Sequence, residues 1–248
     1  MSTTVDHAHA AESDGEPARA DAAPALDNPV WAALTGPHAG FAEVRGRAAR
    51  YRSDVSVFAG LADPADPAAW DDLAQLLGPG GTALVTGSPV IPEGWEVVEG
   101  GEGMQMVDTA LHAEHAPEAV RLGPADVDDV MDLIARTRPG PFLPKTLELG
   151  TYLGIRKDGR LIAMAGERIQ PPGWTEISAV CTHPDHRGRG LATRLMSAVA
   201  AGIKERGDTP LLHAAASNTN AVRLYESIGF SHRRRTLFLL VRAPGARA

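Results

Sequence analysis

The run Val180-Cys-Thr-His-Pro-Asp-His-Arg-Gly-Arg-Gly-Leu-Ala192 constrains the fold more than any other stretch of this chain. Residues of strand character lead into a basic loop, and the loop opens a helix in which Leu191, Leu195, Val199 and Ile203 recur every four positions. Such a helix packs its apolar face on a sheet, which points to a layered fold of strands and helices. The loop itself reads as an anion cradle. Orphan backbone amides and the positive end of the helix dipole can hold a diphosphate, Gly188 and Gly190 let it approach the main chain, and Arg187 and Arg189 add charge. Lys204 and Arg206 before Gly207 close the helix favourably. The loop has neither the Lys-Ser/Thr of a P-loop nor a G-x-G-x-x-G, which argues against nucleotide hydrolysis and a dinucleotide fold.

Periodicity extends this reading along the chain. Strands are expected at 119–122, 151–155, 161–169, 175–182, 210–216 and 236–242, with helices at 124–137, 190–206 and 220–228. Asp158-Gly159 turns the hairpin between the second and third strands. The order β α β β β α β α β over 119–248 predicts an α+β domain, an α/β three-layer arrangement with a central mixed sheet flanked by helices. The polar, proline-containing stretch 112–118 reads as a linker, and 28–111 as a smaller α/β half. In that half Leu73, Leu76 and Leu77 share one helical face, and Gly78-Pro79-Gly80-Gly81 ends the helix before a short strand at 83–85. Phosphate-cradling glycines follow a strand and open a helix, so these read as a plain turn, and no chemistry is evident before 112. Residues 1–27 are nearly free of large apolar side chains and read as a disordered tail, with His7 and His9 solvated rather than metal-binding.

Composition removes several function classes. The 248 residues carry a formal net charge of −7, divided unevenly: 19 acidic and 5 basic residues over 1–118, but 12 and 19 over 119–248. A basic half suits a small polyanionic ligand. Its arginines and lysines are scattered without interleaved aromatics, so no nucleic-acid partner is expected. Cys181 is the sole cysteine, which precludes an internal disulfide and a cysteine-built metal site and fits a reducing compartment. With no run of about 18 apolar residues and no basic-then-apolar leader, no membrane partner is expected, and the expected location is cytoplasmic.

A second segment, Asn218-Thr-Asn-Ala221-Val-Arg-Leu224-Tyr225-Glu-Ser-Ile-Gly229-Phe230, gives the basic loop its meaning. Arg187-Gly-Arg-Gly190-Leu-Ala192 resembles motif A of the GNAT superfamily of N-acetyltransferases, R/Q-x-x-G-x-G/A. The later segment is similar to that family's N-x-x-A-x-x-L-Y-x-x-x-G-F, at the expected distance and after a strand. The resemblance covers about 119–242, and Leu212-His213 ahead of the asparagine looks like the glycine N-acyltransferase-like branch, in which a degenerate N-terminal half precedes the transferase domain.

The resemblance implies acetyl-CoA as acyl-donor cosubstrate, a small-molecule amine or a peptide as acceptor, and direct attack of the amine on the thioester. The amides from Gly188 through Leu191, Ala192 and Thr193, flanked by Arg187 and Arg189, would hold the diphosphate. The backbone of Val180, Cys181 and Thr182 would pair with the pantetheine arm as an added strand does. Asn218 would contact the pantetheine or thioester region, or cap the following helix. Tyr225 stands where the family has the tyrosine that protonates the leaving thiolate; packing against the sheet is its structural alternative. Two bases compete. Glu176 lies on the strand entering motif A, on the side of Ser178 and Val180 by period-two alternation, and is either a base or a solvated strand-end carboxylate. His213 occupies a position where ribosomal-protein alanine acetyltransferases carry a glutamate, and is either a base or a hydrogen-bonded core residue. His183 and His186 mimic a metal pair but belong to the loop, so no metal is expected. Loops at 139–149 and 171–174 are expected to line the acceptor pocket. A non-catalytic CoA-binding sensor is the rival reading, and C-terminal edge strands would suit a homodimer.

Overall fold

The computed structural model describes residues 23–245. The first half contains α1 (Pro24–Asp27), α2 (Pro29–Leu34), β1 (Ala42–Arg45), β2 (Ala48–Tyr51), β3 (Ala59–Leu61), α3 (Pro67–Leu77), β4 (Thr82–Gly87) and β5 (Glu96–Asp108). The second contains β6 (Val120–Arg121), α4 (Val127–Thr137), β7 (Tyr152–Lys157), β8 (Arg160–Glu167), β9 (Trp174–Thr182), α5 (Leu191–Glu205), β10 (Thr209–Ala215), α6 (Thr219–Ser227) and β11 (Phe230–Arg242). From β6 to β11 this is the expected alternation of strands and helices. Asp158 and Gly159 both take positive φ, 50° and 79°, the two left-handed residues of a tight hairpin turn.

Eight strands form one mixed sheet in the order β4-β11-β5-β10-β9-β8-β7-β6, confirming an α+β fold with a central sheet between helices. Helix α5 buries Leu191, Leu195, Val199 and Ile203 against one face, in a cluster with Ile162, Ile177 and Leu212. On the other face α4 sets Val130, Leu133 and Ile134 against Tyr152, Met164 and Cys181. The apolar stripes of both helices thus meet the apolar residues of the same strands from opposite sides.

The sheet crosses the 112–118 stretch. β4 and β5 both pair antiparallel with β11, and β5 pairs antiparallel with β10. The C-terminal strand is therefore interior, and an edge available for dimerisation is not found there; β4 and β6 are the edges. β11 also starts six residues before the expected 236, because its polar start, Ser231-His-Arg-Arg-Arg235, pairs with β5 instead of ending in a loop. A separate three-stranded sheet, β1-β2-β3, leans on the edge through a bridge from Phe58 to Leu84.

Residues 24–27 are not a tail. They form a helical turn whose Leu26 is fully buried against Val107 and Leu211, and whose Asp27 is paired with Arg233 and Arg234. One buried leucine and two ion pairs order a segment whose composition alone reads as solvated. His7 and His9 lie outside the described residues. Among the described residues no helix is long and apolar enough to cross a membrane.

Candidate active site

Two features of β9 shape the centre of the sheet. Its parallel ladder with β10 has only three pairs, ending at Glu176 and Leu211, although β9 continues to Thr182 and β10 to Ala215. The strands splay beyond that point, and the backbone of 177–182 that faces β10 has no strand partner. The second feature is a bulge. Met164 pairs with Cys181 and Gly166 with Ser178, so Ala179 and Val180 together oppose Ala165, with Ala179 held at φ 53°. The bulge resets the alternation: Ile177 and Val180 face α5, whereas Ala179 and Cys181 face α4. Glu176 is therefore not on the side of Val180, as strict alternation predicted.

At the end of β9 a 3-10 turn, Pro184–His186, is capped by His183, whose Nδ1 accepts the Asp185 N–H at 3.3 Å. The loop beyond it is exposed, with Gly188 at φ 73° and Gly190 at φ 72° as N-cap of α5. The Arg194 N–H is the first to close on Gly190, so the amides of Leu191, Ala192 and Thr193 point outward without an intrahelical acceptor. Arg187 donates to the Thr182 carbonyl and Arg189 to the Asp185 carbonyl, both at 3.3 Å, which folds the two guanidiniums around the loop. Burial pushes the Cys181 thiol up to about 11, so it stays protonated and unreactive.

Motif residues on α6 divide by role. Asn218 caps the helix, its side chain accepting the Ala221 N–H at 3.2 Å. Tyr225 packs edge-on to Phe230 and against the α5-side core, and burial raises its pKa. Its hydroxyl has no hydrogen-bond partner among the described residues.

Glu176 and His213 come together in one hydrogen-bonded network, with Glu176 wholly buried and His213 on the wall of a cavity. Glu176 is wholly buried and accepts Arg168 Nε at 2.9 Å and Nη2 at 2.7 Å, while His213 Nδ1 lies 2.8 Å from the same carboxylate. Burial alone would raise its pKa; the Arg168 charge and hydrogen bonds, aided by His213, outweigh it and hold the carboxyl well below the ordinary range. The solvated strand-end carboxylate is thus corrected to one half of a buried ion pair. The histidine is constrained from its other side. Gln105 donates Nε2 to the Leu26 carbonyl at 2.9 Å and receives Arg233 on Oε1 at 2.8 Å, which fixes its amide orientation. That orientation aims an N–H at His213 Nε2, 3.2 Å away, so the imidazole is the Nδ1–H tautomer that donates to Glu176.

Beside this network lies a cavity of about 540 Å³ between the two halves. Phe58 and Leu84 from the first half, Glu99 and Glu102 from β5, and Arg168 and Phe238 bound it. The first half, silent in the sequence, supplies walls to this cavity. Of the loops expected to line a pocket, Pro139–Pro141 does so; 171–174 does not, because Trp174 packs instead with Leu26 and Val107. Phe58 and Arg168 escaped sequence reasoning, since only tertiary structure places the guanidinium 4.8 Å over that ring.

A model of the FR47-like protein family matches residues 152–239. A crystal structure of a GNAT-family protein from Novosphingobium aromaticivorans, assigned as an acetyltransferase, is 39% identical, superposes with a TM-score of 0.80, and covers 90% of this chain and 99% of that one. The chain belongs to the GNAT family. Two mycothiol acetyltransferases are also similar: one from Thermomonospora curvata is 35% identical over 101 residues, 40% of this chain and 32% of the relative. The other, from Thermobispora bispora, is 44% identical over 57 residues, 23% of this chain and 19% of the relative. The chain thus spans a third or less of the length of these curated relatives. Within this fold the end of β10, at His213–Ala215, borders the cavity, whereas Tyr225 packs with the α5-side core.

Proposed function

We propose that the chain transfers an acetyl group from acetyl-CoA to a primary amine bound in the 540 Å³ cavity. The observation that carries this reading is the splay of β9 from β10 directly upstream of the Gly190 N-cap. An extended, amide-bearing arm can add to unladdered strand backbone while its diphosphate meets the start of α5. The residues present fit that ligand: the backbone of Val180, Cys181 and Thr182 for the arm, and Arg187, Gly188, Arg189, Gly190, Leu191, Ala192 and Thr193 for the diphosphate. Asn218 holds the start of α6 beside it. Acetyl-CoA supplies a thioester carbon to which the amine bonds as the C–S bond breaks. The protein orients the two partners, excludes water, and moves a proton at Tyr225 Oη. The two-half organisation favours the glycine N-acyltransferase-like branch, with 28–111 as a companion half that walls the acceptor.

Calorimetry on Gly190→Glu tests the reading. A Cβ at Gly190 meets nothing within 4 Å, so the fold survives. The positive φ costs about 1 kcal/mol. The introduced carboxylate stands where the diphosphate sits, and acetyl-CoA affinity is expected to fall roughly tenfold to a hundredfold. Unchanged affinity in the folded variant removes the assigned site.

The amine proton is lost before attack, because both Glu176 oxygens and both His213 nitrogens are already engaged. In place of a base at Glu176 or His213, the proton goes to solvent. The value of kcat/KM is then expected to rise about tenfold per pH unit until the acceptor itself is neutral. A plateau abolished by His213→Gln would return the role to His213.

A further inference from the structure

We propose that Arg168 Nη1 is the specificity anchor of the cavity and selects amines bearing a neutral amide oxygen over amines bearing a carboxylate. The assignment deepens the acetyl-transfer reading and rests on it for the role of the amine. Arg168 sits opposite Glu176 on the β8–β9 hairpin and meets its carboxylate with Nε and Nη2. Nη1 has no acceptor among the described residues, although the guanidinium lies on the cavity wall over Phe58. Because the guanidinium is planar and two of its corners are fixed, the direction of Nη1 is fixed as well. The cavity wall therefore offers a rigid, unused donor beside the ring of Phe58, which itself meets Phe238 edge to face.

Charge decides what that donor takes. Glu176 already neutralises Arg168, and the hydrogen-bonded His213 is the Nδ1–H tautomer. A ligand carboxylate would set a second anion against one guanidinium in a cavity lined also by Glu99 and by Glu102, of which Glu102 is paired with the exposed Arg235 at 3.2 Å. A neutral carbonyl oxygen accepts from Nη1 without adding charge. The rim favours the other end of the ligand. Glu102 precedes Gly103, which pairs with Ala215, so the acidic residues stand at the splayed end of β10, while Gln105 pairs with His213 toward Arg168. An acceptor with a cationic amine at one end, an aromatic or branched apolar body, and an amide oxygen toward Arg168 fits this polarity.

Calorimetry with phenethylamine, phenylalaninamide and phenylalanine, at about pH 6 where all three amines carry a proton, reads the inference directly. The amide is expected to bind roughly tenfold tighter than the bare amine, and the carboxylate weaker than both. Arg168→Lys keeps a charge beside Glu176 but removes the fork, and should reduce the advantage of the amide to about threefold or less; a thermal melt establishes that it is folded. If it is not, Glu99→Gln with Glu102→Gln provides the second variant, in which phenylalanine should gain on the amide. Phenylalanine binding as well as the amide, a flat series, or no amide binding at millimolar concentration overturns the proposal. A parallel acetyl-CoA titration separates the two readings. Absence of acetyl-CoA binding sinks the transfer reading and leaves the amine series to be judged alone, whereas acetyl-CoA binding with a flat amine series sinks only the anchor.

Discussion

Tyr225→Phe is expected to lower kcat by ~10²–10⁴-fold with acetyl-CoA affinity changed by no more than about threefold. The ring packs against Phe230 and the α5-side core, so the substitution keeps the packing and removes only an oxygen. That oxygen is a donor with nothing to donate to among the described residues. Burial raises its pKa, so the phenol stays protonated across the neutral range. A simple thiol has a pKa of about 8.5, so a thiolate leaving group needs only a modest donor, and the phenol can pass its proton as the C–S bond lengthens and regain one from solvent. The decisive measurement is steady-state turnover beside calorimetry. Turnover within a few-fold of wild type would hand the proton to water.

Glu176→Gln is expected to cost about 3–5 kcal/mol of stability, because it strands the buried Arg168 guanidinium without a countercharge. For a chain of this size that corresponds to a fall in Tm of roughly 6–20 °C. The pH dependence has a definite sign. The Glu176 carboxyl is held below its unfolded value of about 4.3, so its contribution is complete above that pH and is lost as acid drives the pH down toward the folded value. Thermal melts from neutral to acid pH should show part of the acid slope in the wild type missing in Glu176→Gln. A loss below about 1 kcal/mol would mean that water screens the pair. Because the same substitution lets His213 turn, activity should fall with stability, not selectively at neutral pH.

What could be read from residues alone was whatever local chemistry determines. Helix α5 and its loop follow from a four-residue apolar repeat behind two glycines, and α6 from an asparagine cap and an apolar face, so these landed close to their expected bounds. Strand β5 went unread because its first seven residues, Glu-Val-Val-Glu-Gly-Gly-Glu, are exposed and show no alternation. It is a strand because β11 lies along it, which is a tertiary fact. The Arg168–Glu176 pair was hidden for a related reason: the partners stand eight positions apart across a hairpin, and only the register brings them opposite. At Ala179 alternation misled, since one extra residue on β9 reverses every later side chain.

The interior position of β11 also bears on whether this protein can be divided. Cutting before β6 would keep both family motifs yet remove the two neighbours, β4 and β5, that close the hydrogen bonds on either side of a thirteen-residue strand. The excised piece would carry a bare, arginine-rich ribbon and an opened α5-side core that has lost Met106. It would also lose Gln105, and with it the amide that sets the His213 tautomer. The halves are therefore not interchangeable modules joined by a linker, and any exchange of segments between relatives has to carry β4 and β5 along with the family motifs.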